Sequence, residues 1–141
     1  MCMKEMHRRR REALAVIARR WISLWTVPVD WASFDALHAD DFEDASSAGR
    51  PGTREGFAQG LRELVDAFPD LRASVNDLVI DLEKSRIAVR WSAEGTNRNR
   101  YLGVGPTNRL TRITGIEIIE VRDDRIVRRW GEWDITEHTG S

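Results

Sequence analysis

Between Leu14 and Trp25 an apolar stripe recurs at Leu14, Ile17, Ala18, Trp21, Leu24 and Trp25. Steps of three and four place them on one side of a helix, so the pattern predicts an amphipathic helix over about residues 5–26. Pro28 ends it, because proline has no N–H to continue the hydrogen-bond ladder. Asp30 is an N-cap for a second, short helix with Trp31, Phe34 and Leu37 on its apolar side, and an extended piece around Asp41 to Asp44 follows. The stretch "SSAGRPGTREG" has the glycine, proline and serine content of a loop. Thr53 then caps a third helix, with Phe57, Leu61, Leu64, Val65 and Phe68 as its stripe and Pro69 closing it.

Beyond Pro69 the period changes from 3.6 to two. "LRASVNDLVIDL", "SRIAVRWSAEG", "RLTRITGIEIIEVR" and "RIVRRWGEWDI" read as strands, with "RYLGVG" as a short extended piece. Asp123-Asp124 separates the last two strands as a hairpin turn. Helices first and antiparallel strands afterwards predict an α+β fold, about three N-terminal helices packed on one face of a curved, mostly antiparallel sheet. A sheet bent around helices leaves a cavity between the layers, the preferred place for a small-molecule site.

The chain of 141 residues reads as one domain spanning 1–141, with 1–9 as a frayed terminus. Its 22 basic and 23 acidic residues leave a net charge of −1, which argues against nucleic acid or an anionic membrane as partner and for a small organic molecule or a protein. The four arginines Arg8 to Arg11 are then a solvated first turn. "ALAVIA" is too short for a secretory core or a membrane span. The single cysteine, Cys2, fits a reducing cytoplasm. Neither the histidines nor the acids have metal-ligand spacing, and no phosphate-binding glycine loop is present, so no metal or cofactor is expected.

Phe68-Pro69-Asp70, Gly95-Thr96, Pro106-Thr107-Asn108-Arg109, Asp123-Asp124-Arg125-Ile126 and Trp130 occur in that order. The set resembles the SnoaL-like polyketide cyclase and ester cyclase family from about residue 10 to residue 136. The resemblance implies the cone-shaped fold of nuclear transport factor 2, ketosteroid isomerase and scytalone dehydratase, in a homodimer. It also implies an intramolecular aldol closure driven by an aspartate on the last strand, a histidine on the strand before it and a polar residue near the second helix. On this chain those positions fall on Gly131, Glu117 and Asp44. Asn97 stands where the family often has histidine after Gly-Thr.

The residues themselves offer other carboxylates. Glu117 is an acid surrounded by isoleucines in "ITGIEIIEV", which places it either on a cavity wall or on the outer sheet face. Glycine inside a strand often marks a bulge, so at Gly131 the alternation would break and either Glu132 or Asp134 would enter the cavity. The opposing view is a plain strand with Glu132 paired to Arg90 or Arg112. Glu117, Asp44, Glu132 and Asp134 are therefore the candidate acid–base residues. Trp25, Trp91, Asn97, Tyr101, Arg129 and Trp133 are the candidate contacts for a hydrophobic or planar ligand. His38, at a short helix end near three acids, reads as a solvated or capping residue.

These features lead to a cofactor-independent cyclase, isomerase or lyase working by carboxylate proton transfer in an apolar pocket. One alternative is a non-catalytic ligand-binding or dimerising module. A third is an epoxide-hydrolase-like enzyme, with Arg90 or Arg129 between Asp44 and Glu117.

Overall fold

A computed structural model describes residues 2–137. Helices α1 (Met3–Ser23), α2 (Trp31–Leu37) and α3 (Arg54–Ala67) lie with strands β1 (His38–Asp44), β2 (Arg72–Asp81), β3 (Arg86–Thr96), β4 (Leu110–Arg122) and β5 (Arg125–Glu137). The strands form one sheet in the order β1-β5-β4-β3-β2. Every pair is antiparallel except β1 with β5, which is parallel. The expected α+β layout, helices against one face of a mostly antiparallel sheet, is the one found.

Helix α1 buries Leu14, Ile17, Ala18, Trp21 and Ile22 and packs on β2 and β3. It starts at Met3, so most of the segment read as a terminus is helical. It ends at Ser23 rather than near residue 26, where the chain turns before Pro28. Asp30 caps α2 by accepting from the Ser33 N–H at 3.0 Å, and Thr53 caps α3 by accepting from Gly56 N–H at 3.1 Å. Both caps satisfy donors that a helix start would leave open. The segment "RYLGVG" contains only a Tyr101–Val104 bridge and forms no full strand.

On the sheet, period-two alternation turns Ile87, Val89, Trp91 and Ala93 of β3 and Ile113, Ile119 and Val121 of β4 into the core. Asp123 and Asp124 both take positive φ, 52° and 62°, as a two-residue hairpin joining right-twisted strands requires. The outer face carries a row of cross-strand partners Val79, Ala88, Ile118 and Trp130.

His38 departs from its sequence reading. It is the C-cap of α2, but it is fully buried rather than solvated. Its Nε2 accepts from Trp21 Nε1 at 3.0 Å and its Nδ1 lies 2.7 Å from the Phe34 carbonyl, which fixes a neutral ring with the proton on Nδ1. Burial is the main cause that pushes its pKa from 6.5 down to about 4. The unfolded chain therefore binds the extra proton first, and stability falls as pH drops from 6.5 through about 4. The expected loss is about 3 kcal/mol. Denaturant midpoints measured across that window check it, and His38→Asn should flatten the acid limb.

Candidate active site

Along β4 the inward positions are Thr111, Ile113, Gly115, Glu117, Ile119 and Val121, so Glu117 is a carboxylate in an apolar row. It is 1% exposed. The choice between cavity wall and outer face therefore falls to the inside. A buried carboxylate survives only when its lone pairs are met, and here they are. Arg129 Nε donates to Oε1 at 2.7 Å, while the indole N–H groups of Trp133 and Trp91 donate to Oε2 at 2.6 and 3.3 Å.

Arg129 reaches Glu117 because β5 alternates in step with β4. Ile119 faces Arg129 and Glu117 faces Gly131 in the register, so 129 and 131 share the inner face. Arg129 Nη1 extends to Asp44 Oδ1 at 2.9 Å and to the Ser46 carbonyl at 3.1 Å. Asp44, at the end of β1, is brought there by its parallel pairing with Arg129. Ser46 completes the knot: its N–H donates to Asp44 Oδ1 and its hydroxyl accepts from Gly131 N–H, each at 3.0 Å. The result is an acid–guanidinium–acid bridge, Asp44–Arg129–Glu117. Of the two arginines considered, Arg129 lies between the acids, while Arg90 is exposed on the outer face.

Two carboxylates share one cation, and the balance falls on Glu117. Desolvation pushes its pKa above the ordinary glutamate value, and Arg129 and the two indoles only partly offset this. For Arg129, burial works against the charge, but Glu117 and Asp44 outweigh it and hold the guanidinium above its usual value.

Of the two readings of Gly131, bulge or plain strand, the plain strand is the one found. β4 and β5 stay in register from Glu137 to Arg128, and the shift lies between Glu120 and Val121. Strict alternation therefore sends Glu132 and Asp134 to the outer face, where both are exposed. Neither points into the interior: Glu132 reaches only the rim of the cavity over Gly131, and Asp134 does not border it. The glycine serves close approach instead. A Cβ at 131 would overlap Arg129 Nη2 and both oxygens of Glu117. Glu117, one strand over, thus fills the space that a side chain at 131 would occupy.

Around Glu117 the interior is closed. The space bounded by Trp21, Ile22, Trp25, Trp91 and Trp133 has no volume that a water could occupy. The open volume lies beyond Gly131: a cavity of about 540 Å³ bordered by Ser46, Arg50, Tyr101, Arg129, Gly131 and Trp133, among others. Of the expected ligand contacts, Tyr101, Arg129 and Trp133 border it. Trp25 and Trp91 lie in the packed layer behind it. Asn97 does not line it. Its Oδ1 instead accepts from Thr107 N–H at 2.8 Å and holds the loop between β3 and β4. The sequence reading missed Ser46 and Arg50, whose only sign was polar residues in a small-residue loop directly after Asp44. Among the described residues no His, Cys, Asp and Glu cluster could hold a metal, and no helix is long and apolar enough to cross a membrane.

The model of SnoaL-like polyketide cyclases matches residues 15–138. The chain belongs to this family. IdmH from Streptomyces antibioticus shares 29% identity with this SnoaL-like chain at a TM-score of 0.72, over 86% of this chain and 91% of IdmH. TsrD from Streptomyces laurentii superposes with a TM-score of 0.77 at 18% identity, over 88% of this chain and 90% of its own. A SnoaL-like protein from Jannaschia superposes at 0.75 with 14% identity, over 87% and 86%. No curated protein matches the chain in sequence. The last two likenesses carry the fold, the cone of the nuclear transport factor 2-like proteins.

Proposed function

We propose that this SnoaL-like protein is a cofactor-independent cyclase or isomerase acting on a planar, enolisable organic molecule held in the cavity over Gly131, with Glu117 as its base. The observation that carries the reading is the carboxylate lodged in the space a side chain at 131 would take. The acid that the family resemblance puts on β5 is supplied here from β4. A carboxylate with a raised pKa is suited to taking a proton from carbon near neutral pH. Arg129 Nη2, against Gly131, would donate to the oxygen on which enolate charge develops. Asp44 and Ser46 would hold that guanidinium in place. IdmH, a candidate polyketide cyclase, belongs to the same structural class.

Glu117→Gln keeps the shape and removes the base. With a linear poly-β-ketone ester as substrate and the cyclised product followed by absorbance, its turnover should fall about 10²- to 10⁴-fold. In the parent protein kcat/KM should rise with pH through an apparent pKa above 4.5, because Glu117 must lose its proton to act. Turnover unchanged by the substitution would remove Glu117 from the mechanism.

One observation favours a second reading, a ligand-binding module without turnover: tryptophans fill the layer around Glu117 and leave no room for a reacting atom beside it. Substrate bound without conversion would decide for that reading. The epoxide-hydrolase-like alternative has its acid–guanidinium–acid bridge, and like the cyclase reading it would need its reactants to approach Glu117 from the Gly131 side, since the tryptophan side is filled. The location we propose is a reducing cytoplasm, and the assembly a homodimer. The exposed apolar outer face with Val79, Ile116 and Ile118 supports the latter.

A further inference from the structure

The wall of the cavity over Gly131 is rich in donors. Arg50, Tyr101 and Arg129 border it, and Glu132, exposed at the rim, is the one acid among its lining residues. Arg129 has its charge answered by Asp44 and Glu117. Arg50 does not have the same cover. Its Nη1 is 3.6 Å from Glu63, a half-exposed carboxylate, and its Nε is buried with no hydrogen-bond partner, alone in this among the side-chain nitrogens and oxygens of the described residues. A buried donor without an acceptor is costly, because it has given up water and gained nothing. The same guanidinium borders the cavity, so its weakly answered charge is presented to a ligand there.

The position of that guanidinium is set by a glycine. Arg50 lies across α3 at Gly60, and a Cβ there would stand 2.7–2.9 Å from its Nη2, Nε and Cζ. Any side chain at 60 would push the group away. Gly60 therefore spends helix propensity, since alanine is the better helix former, on letting a cation lie flat against the helix beside the cavity. The Tyr101 phenol is near enough for the Arg50 charge to act on it, although burial dominates and raises its pKa.

We infer that the cavity takes an anionic ligand, a planar organic acid or acidic enol, and that Arg50, seated on Gly60, is the residue that selects its charge. A planar guanidinium can meet a carboxylate or enolate with two parallel N–H groups. Trp133 and Tyr101 offer flat walls to the ring system, and about 540 Å³ accommodates a bicyclic or tricyclic molecule. The inference rests on the same cavity as the functional reading and adds the class of ligand. It concerns binding, so it stands or falls apart from turnover.

The test uses two probes of one shape, 2-naphthoate and 2-naphthamide, titrated by calorimetry into the full-length protein and followed by Trp fluorescence. The parent protein should bind the carboxylate at least about tenfold more tightly than the amide, an advantage that shrinks with added salt as screening requires. Arg50→Gln should bring the two probes to parity, and Arg50→Lys should keep part of the preference. Gly60→Ala provides a check independent of Arg50 itself: its thermal midpoint should hold or rise, while the preference for the acid is lost. Equal affinity for both probes in the parent, a preference that survives Arg50→Gln, or no saturable binding of either probe would each overturn the proposal. A retained preference in a protein that turns nothing over would instead remove the catalytic reading and leave this one intact.

Discussion

Arg129→Met should cost about 3–5 kcal/mol of folding stability, the range for removing one partner of a buried ion pair. Methionine fills much of the volume, so lost packing is not the main cause. The cause is that Glu117 and Asp44, 1% and 5% exposed, would be left with no cation between them. Glu117 would keep its two indole donors and Asp44 the Ser46 N–H, so each would still accept hydrogen bonds while its charge went unanswered. Glu117, already raised by burial, would lose the cation that offsets it and should take up its proton at higher pH, so the variant should recover stability on acidification in a range where the parent gains less. Urea unfolding at several pH values measures this, provided the slope with denaturant stays constant. Adding Glu117→Gln to Arg129→Met should return part of the loss, because one of the two stranded charges is gone. A loss below about 1 kcal/mol, the size of an ordinary surface pair, would mean that the bridge contributes no more than exposed ion pairs do.

Gly131→Asp is the second large effect, and its sign depends on Glu117. Even Gly131→Ala should destabilise by about 1–3 kcal/mol, since its methyl group would meet Arg129 Nη2 and both Glu117 oxygens, and the guanidinium and the carboxylate are anchored to Asp44 and Trp133. The aspartate adds a third carboxylate to the overlap and should cost more. Glu117→Ala in the same chain clears the space and the charge together. The double variant should therefore be much more stable than the sum of the two single changes predicts, with a coupling of about 2 kcal/mol or more. Simple additivity would show that 117 and 131 do not compete for one place. The double variant also puts a carboxylate on β5, where the resemblance to the cyclases locates it, so its turnover of the poly-β-ketone ester is worth comparing with that of Glu117→Gln.

The helices could be read from the sequence because each buries a single stripe and is punctuated by Asp30, Thr53, Pro28 and Pro69. The last hairpin was equally plain, since two aspartates between alternating strands suit positive φ. Glu117 stood out for a physical reason, a charge in an isoleucine row. The meaning of Gly131 did not. Glycine in a strand marks either a bulge or a close approach, and only the partner strand's register separates the two. The same register selects Arg129: Arg125, Arg128 and Arg129 are alike in one dimension, and the pairing of β5 with β4, Ile119 opposite Arg129, is what turns Arg129 inward. Arg50 was hidden more deeply. Its neighbours in sequence are loop residues, and the glycine that seats it lies ten positions on, in another element.

Asp44 and Arg129 are separated by 85 positions, and among the described residues β1 has no neighbour in the sheet other than β5. As the polypeptide leaves the ribosome, the first helices and the β2–β3–β4 meander can take shape from nearby partners, whereas β1 must wait for almost the whole chain. The final docking of this outer strand and the neutralisation of Asp44 are consequently a single late event. A nascent chain halted before β5 would hold neither, and premature termination there should yield a species recognised by chaperones rather than a weakened native fold.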